Sequence, residues 1–319
     1  MKLFKYVEWS AAACLLMAGA AHAAAVAPSA EAQRHAMWRE AISSTPVPGA
    51  GCFTAQYPSK TWTAVACVSA PNKVYLPANG RGGFTVGNGH DYAVETSTII
   101  KSGVGSFPSI KGLKTETNDG SSNTYSLQLN SAFFASPACS GGEQSCFGWQ
   151  QFIYAQGDGS NYVFMQSWLI NYGSKCPSGW NQYSTDCYRN SSATNVPTQA
   201  LTSLADLQLS GTAVSGGSDT TKLTTSTNAY SASESDTTVG LSGFWNGAEY
   251  NIVGDGGGSE AVFNSGTKMK VKIQVQDGST AAPTCASNAG TTGETNNLNL
   301  GACTTKSGKK PSITFTQSN

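Results

Sequence analysis

Charge is what this chain has least of. Asp, Glu, Lys and Arg make up 12% of its 319 residues, about half the usual globular share, and 19 acidic residues balance 19 basic ones. No basic stripe exists to hold a run of phosphates, which argues against nucleic acid as a partner. Histidine is scarcer still, with three in all. His22 falls in a leader and His35 in a helical stretch, so His90 alone is left for a Ser/His/Asp system, and no Gly-x-Ser-x-Gly presents a serine. His90-Asp91 follows Gly87-Asn88-Gly89 and reads better as part of a turn. A zinc site needs three or four His, Cys or carboxylate ligands, and that supply is missing once the cysteines are oxidised. No metal and no cofactor are expected. Beyond the leader no apolar run approaches the roughly 20 residues of a membrane helix.

The leader itself is legible. Lys2 and Lys5 precede an apolar run from Ala11 to Ala21, and Ala21-His22-Ala23 fits a small-x-small cleavage site, with Glu8 as the one awkward charge. Residues 1–23 are therefore read as a signal peptide and the protein as secreted, extracellular or periplasmic. Cys14 leaves with the leader. The other eight cysteines fall in four close pairs: Cys52 with Cys67, Cys139 with Cys146, Cys176 with Cys187 and Cys285 with Cys303. They are expected to bond in that sequential order. Sparse ionised groups in a Ser-, Thr-, Gly- and Asn-rich chain also lean toward acid tolerance, because little stability is lost when carboxylates protonate.

Residues 24–50 stand apart. Ser29 to Ile42 is the one stretch of helical composition, with Met37, Trp38 and Ile42 as candidate anchors, followed by a Pro- and Gly-bearing linker. It is either a short helix packed on the main domain or a pro-segment. From residue 51 to 319 the chain reads as one β domain with a stapled C-terminal extension over a loop-like 281–311. Strands are expected at Phe84–Val86, Tyr92–Ile100, Thr124–Phe134, Gly148–Ala155, Asn161–Tyr172, Leu207–Val214, Lys222–Thr227, Val239–Trp245, Ala248–Val253, Lys268–Gln276 and Ser312–Thr316, with a helical turn near Thr198–Leu204. Lysines at 268, 270 and 272 alternate with Met269, Val271 and Ile273, giving a wet face that also discourages edge pairing. Many short strands with Gly-rich turns predict an all-β fold, a β-sandwich or jelly roll of concanavalin-like kind, as a monomer.

Carboxylate and carboxamide chemistry remains, or binding. The Gly-Asp-Gly runs at Asp158 and Asp255 lack the ligand count of a calcium loop and read as turns. Two segments place Gln or Glu among aromatics on strands: Gly148-Trp149-Gln150-Gln151-Phe152 with its return through Trp168, and Phe244-Trp245-Asn246-Gly247-Ala248-Glu249-Tyr250. Such aromatics can be core, or the wall of a groove for peptide or sugar.

These segments resemble those of the glutamic peptidases, the eqolisin and neprosin-like proteins, while the chain as a whole is similar to secreted proteobacterial proteins. Gln150 and the returning Trp168-Leu169-Ile170-Asn171-Tyr172 match the order of the first eqolisin block. Ala248-Glu249-Tyr250-Asn251-Ile252-Val253 is similar to the second but carries one extra residue, and Gly254 stands where the family has its catalytic Glu. The resemblance implies an exported, disulfide-bearing β-sandwich endopeptidase active in acid. Glu249 would be the general base, Gln150 the oxyanion stabiliser, and Trp149 and Trp168 the groove walls. Two other readings stay open: a noncatalytic lectin-like module for glycan or cell-wall polymer, and a glycosidase using two of Glu95, Glu116 and Glu249.

Overall fold

The computed structural model describes residue 1 and residues 29–78, 91–157, 159–287 and 289–319. Residues 2–23 of the leader, the strand expected at Phe84–Val86, His90 and Asp158 lie outside the described residues.

Alternation of apolar and polar side chains builds a β-sandwich. Among the described residues, nine strands form one sheet and ten another, with a smaller sheet of four beside them. Lys268–Gln276 forms at the expected bounds, with Met269, Val271, Ile273 and Val275 buried. It is an interior strand, paired with Ser102–Lys111 on one side and Ser312–Ser318 on the other. Its lysines therefore mark the outer face of the nine-stranded sheet, and the expected edge role is corrected.

In the ten-stranded sheet the central order is Ser160–Ile170, Phe147–Gly157, Tyr125–Ser131, Gly247–Val253, Tyr92–Glu95. One face of these strands carries Leu127, Leu129, Phe152, Tyr154, Tyr250 and Ile252 into the core, against Phe107, Leu209, Leu223, Val271, Ile273 and Phe315 of the facing sheet. Two glycines let the sheets close. A β-carbon on Gly105 would lie 2.0 Å from the Tyr250 ring, and one on Gly211 would lie 2.5 Å from that of Phe152.

The cysteines bond in the expected sequential order. Cys52 is joined to Cys67, Cys139 to Cys146, Cys176 to Cys187, and Cys285 to Cys303. Three of the bonds have one sulfur-bearing residue inside the protein, at Cys52, Cys146 and Cys187, and so pin a surface loop to buried structure. Cys146 immediately precedes the strand Phe147–Gly157, and Cys187 lies on Asp186–Asn190, which pairs with Ser160–Ile170. Cys67 follows the short strand Thr63–Val65, itself paired with Cys52–Gln56.

Residues 281–311 are more ordered than their composition suggests. Thr284–Ser287 pairs with Tyr92–Glu95, and Asn299–Lys306 pairs with Ser312–Ser318. These strands end the two large sheets, so the bond between Cys285 and Cys303 ties sheet edge to sheet edge. The strand expected at Val239–Trp245 is instead a pair of 3-10 turns, Asp236–Thr238 and Leu241–Gly243. The Asp236 carboxylate accepts from Ser242 N–H and Oγ, and Gly240 takes a left-handed φ of 74°, which together bend the chain.

The N-terminal helix spans Ala30–Ser44, with Ser29 Oγ accepting from Ala32 N–H at 3.1 Å. Trp38 and Ile42 are buried as anchors, but Met37 is 73% exposed and anchors nothing. Buried Lys222 donates from Nζ to the carbonyls of Ser43 and Thr45, 2.9 Å each, at the end of the helix where its dipole favours a cation.

Because the Tyr250 ring cannot move away from a sheet partner without disturbing its own strand, Gly105→Ala should overpack the core. The expected loss is about 1–3 kcal/mol, read as a lower denaturant midpoint at unchanged slope.

Candidate active site

Side chains at alternate positions of a strand share a face, and register carries that sharing to the neighbouring strand. Glu249 is opposite Asn130, and Asn130 is opposite Gln151. Trp149 is opposite Trp168 on the next strand, with Gln151 opposite Gln166. Glu249, Asn130, Gln151, Trp149, Trp168 and Gln166 thus stand on one face, the one turned away from the nine-stranded sheet. Gln128 and Asn251, two residues along their strands from Asn130 and Glu249, complete it.

Gln150 is not on this face. It points into the sandwich beside Phe152, where its Nε2 donates to Asp219 Oδ2 at 3.1 Å and lies 3.5 Å from Met165 Sδ. The structure does not bring Gln150 and Glu249 together, because adjacent residues on a strand point to opposite sides. Gln151, its neighbour, shares the face of Glu249. Its Nε2 donates to Gln128 Oε1 at 3.0 Å and its Oε1 accepts from Trp168 Nε1 at 3.1 Å.

Glu249 is buried, and three donors converge on its Oε2: the Thr291 N–H, Thr291 Oγ1 at 3.0 Å and the Thr292 N–H at 3.3 Å. Its Oε1 faces a second buried carboxyl, Asp91, which the sequence analysis read only as part of a turn. A β-carbon on Gly290 would lie 2.8 Å from Glu249 Oε1 and 2.4 Å from Asp91 Oδ1, so the two acids converge on one point that only glycine leaves open. Burial, the charge of Asp91 and a hydrogen bond with it push the Glu249 carboxyl well above the usual carboxylate range, against the pull of the Thr291 donors. Two carboxyls this close share a proton instead of both ionising.

Gly254, where the resemblance would place an acid, has no room for one. A β-carbon there would lie 2.3 Å from the Ser259 carbonyl oxygen. Glu116 accepts from Thr124 N–H at the far end of the Tyr125 strand, six residues from Asn130 and so roughly 20 Å from Glu249. Glu95 is exposed. Glu95 stands opposite Gly247, two residues along the strand from Glu249 and on the same face, so of the acids the glycosidase reading named it alone lies near Glu249.

Trp149 and Trp168 stand together, ring centroids 6.2 Å apart, but both are fully buried. Val74 and Leu76 pack over them and Tyr188. They do not wall an open groove, and no aromatic platform is presented to a sugar here. Asp255 serves as a turn anchor, bonded by Lys73 Nζ at 2.6 Å and Tyr75 Oη at 2.7 Å. Among the described residues no three His, Cys, Asp or Glu gather as a metal site, and no helix is long and apolar enough to cross a membrane.

No protein-family model matches the chain, and no curated protein matches it in sequence. Among solved structures it is similar to a crystal structure of scytalido-glutamic peptidase with a peptide-based transition-state analogue, at 16% identity and a TM-score of 0.30 over 70% of this chain and 97% of that one. At that score the likeness is remote and concerns fold alone.

Other buried acids share the condition of Glu249. Burial raises Asp219 to about 8, helped by the nearby charge of Asp236, and burial raises Glu116 to about 8. Both folded values lie above the unfolded value of about 4, so the native state holds extra protons. The stability they contribute is full below about pH 4 and is lost as pH rises to about 8. Lys222, lowered by burial to about 8, changes its contribution only above that value. The unfolding temperature should therefore be highest near pH 4 and fall toward pH 8, as calorimetry across that range would register. A rise instead of a fall would refute the assignment.

Proposed function

We propose that this chain is an exported, acid-active endopeptidase of the glutamic type whose acting group is Glu249. The observation that carries the reading is the convergence of Glu249 and Asp91 on a sheet face lined by the carboxamides of Asn130, Gln128 and Gln151. In the singly protonated pair, the ionised carboxyl takes a proton from water as the water oxygen bonds to the scissile carbonyl carbon. The neutral carboxyl gives its proton to the carbonyl oxygen. On collapse, a hydroxyl proton of the intermediate returns to the pair, and the other carboxyl protonates the leaving nitrogen as the C–N bond breaks. The pair ends with the single proton it began with.

Gln151 takes the place that the sequence analysis gave to Gln150, its amide N–H bonding the carbonyl oxygen as the neutral carboxyl protonates it. It flanks Asn130 on the side opposite Glu249, so a water above Asn130 lies between base and amide. Asn130 Oδ1 is buried and accepts no hydrogen bond among the described residues, which suits a site that receives a donor from water or from a substrate N–H. Thr291 and Thr292 lie over this point and must shift for substrate to reach it.

Glu249→Gln should abolish cleavage of an acid-denatured protein substrate. Gln151→Ala should lower kcat by about 10²–10³-fold, the usual loss of one oxyanion donor. Gln150→Ala should instead lower thermal stability, because buried Asp219 Oδ2 loses its Gln150 donor and only Oδ1 keeps a partner, the Val214 N–H. Full activity in Glu249→Gln, or no cleavage by wild type anywhere between mild and strong acid, would end the peptidase reading. Asp91→Asn should remove one limb of the bell-shaped pH profile expected of a pair that works only with one proton.

A further inference from the structure

Residues 73–78 cross the Trp149/Trp168 face, and the way their main chain is held is unusual for a piece of scaffold. The Lys73 carbonyl accepts from Gln166 Nε2 at 3.1 Å, and the Tyr75 N–H donates to Gln166 Oε1 at 2.8 Å. The Leu76 N–H donates to Glu294 Oε1 at 2.9 Å. Loop groups supply the remainder: Gly257 N–H to the Val74 carbonyl at 2.7 Å, Gly293 N–H to the Leu76 carbonyl at 2.7 Å, and the Ala78 N–H to the Thr291 carbonyl at 2.8 Å. None of these six bonds comes from the backbone of a strand beneath. The sheet contributes a carboxamide, whose paired donor and acceptor can grip any peptide main chain irrespective of its side chains.

The side chains are accommodated just as selectively. Val74 and Leu76, two residues apart, rest on Trp149, Trp168 and Tyr188. Tyr75 is wholly buried beside Ile153 and Phe164. Lys73 Nζ and Tyr75 Oη both bond the carboxylate of Asp255.

We propose that this face is a peptide-binding cleft and that residues 73–78 are its resident occupant, a surrogate for a substrate segment with aliphatic side chains on either side of an aromatic one. The fate of a bound peptide rests on the peptidase reading above, whereas the binding rests on this geometry. A tethered occupant acts at high effective concentration, so free peptide reaches only the fraction of molecules in which the segment has left.

The test uses the mature chain and the capped peptide acetyl-Lys-Val-Tyr-Leu-Pro-Ala-amide. Lys73→Ala/Tyr75→Ala removes both of these contacts to Asp255 and loosens the resident segment. Titration calorimetry should show the peptide binding this variant at least about tenfold more tightly than wild type, reflecting the larger open fraction. A peptide with Asp in place of both Val and Leu should bind neither protein. Lys73→Ala alone, which leaves the buried ring in place, should shift affinity in the same direction and serves if the double variant loses its near-ultraviolet circular dichroism. Equal affinity for wild type and folded variant, or equal affinity for the two peptides, overturns the proposal. Binding without cleavage at any acid pH would remove the peptidase reading and leave the cleft standing. Cleavage of denatured protein with no preference for the Val/Leu peptide would do the reverse.

Discussion

Both faces of the central ten-stranded sheet are closed to water, and much of the molecule follows from that. An antiparallel sheet in a two-layer sandwich ordinarily leaves one face wet. Here Tyr125–Ser131 is buried at all seven positions and Gly247–Val253 at all seven. The polar half of the alternation, Ser126, Gln128, Asn130, Glu249 and Asn251, must therefore be satisfied from within. Gln128 shows how. Its Oε1 accepts from Asn130, Gln151 and Thr292, while its Nε2 reaches Ser126 and Glu294. A network of that kind is worth having only when nearly every member is paired, since an orphaned buried group costs about 1–3 kcal/mol. The segments 73–78 and 291–296 are consequently held in place by the groups they cover.

The same closure governs the acids. Asp91, Glu116, Asp219, Glu234, Glu249, Asp255 and Glu294 are all buried, a large part of the 19 acidic residues in the chain. Desolvation is the leading cause of the upward shift at Glu116, Asp219, Glu234, Glu249 and Glu294. A chain that keeps its acids inside has few left for its surface, which gives the low charge content a structural meaning. Buried carboxyls that are at ease when protonated would favour the fold in acid more than a shortage of ion pairs would.

How much of this was legible in the sequence depended on whether a local rule was decisive. The Lys268 strand, the helix after Ser29 and the sequential disulfides could be read because alternation, capping and spacing are local. Ser102–Lys111 and Asn228–Ser235 could not, since Ser and Gly positions there are chosen by the opposing sheet: Gly105 is small because Tyr250 sits over it. Val239–Trp245 looks extended by residue type and was overridden by the Asp236 cap. At the site, Trp149 and Gln150 were assigned to one groove although consecutive strand residues face opposite ways. The period-two rule alone pairs Trp149 with Gln151. Asp91 carried no comparable signal, because its meeting with Glu249 is made by tertiary pairing across 158 positions of chain.

The choice of Glu249 over the position after Val253 is in the end a steric matter. On the proposed peptidase reading, the acting carboxyl needs a strand position on the outer sheet face and free volume beside it. Gly254 lies against the Ser259 backbone and can carry no side chain, whereas Glu249 stands in register with Asn130 and faces a glycine, Gly290, that leaves its Oε1 room. Gly254 is thus a residue the backbone requires. Glu249, Asn251 and Val253 share the outer face, while Tyr250 and Ile252 pack against the facing sheet, and the strand ends at Val253.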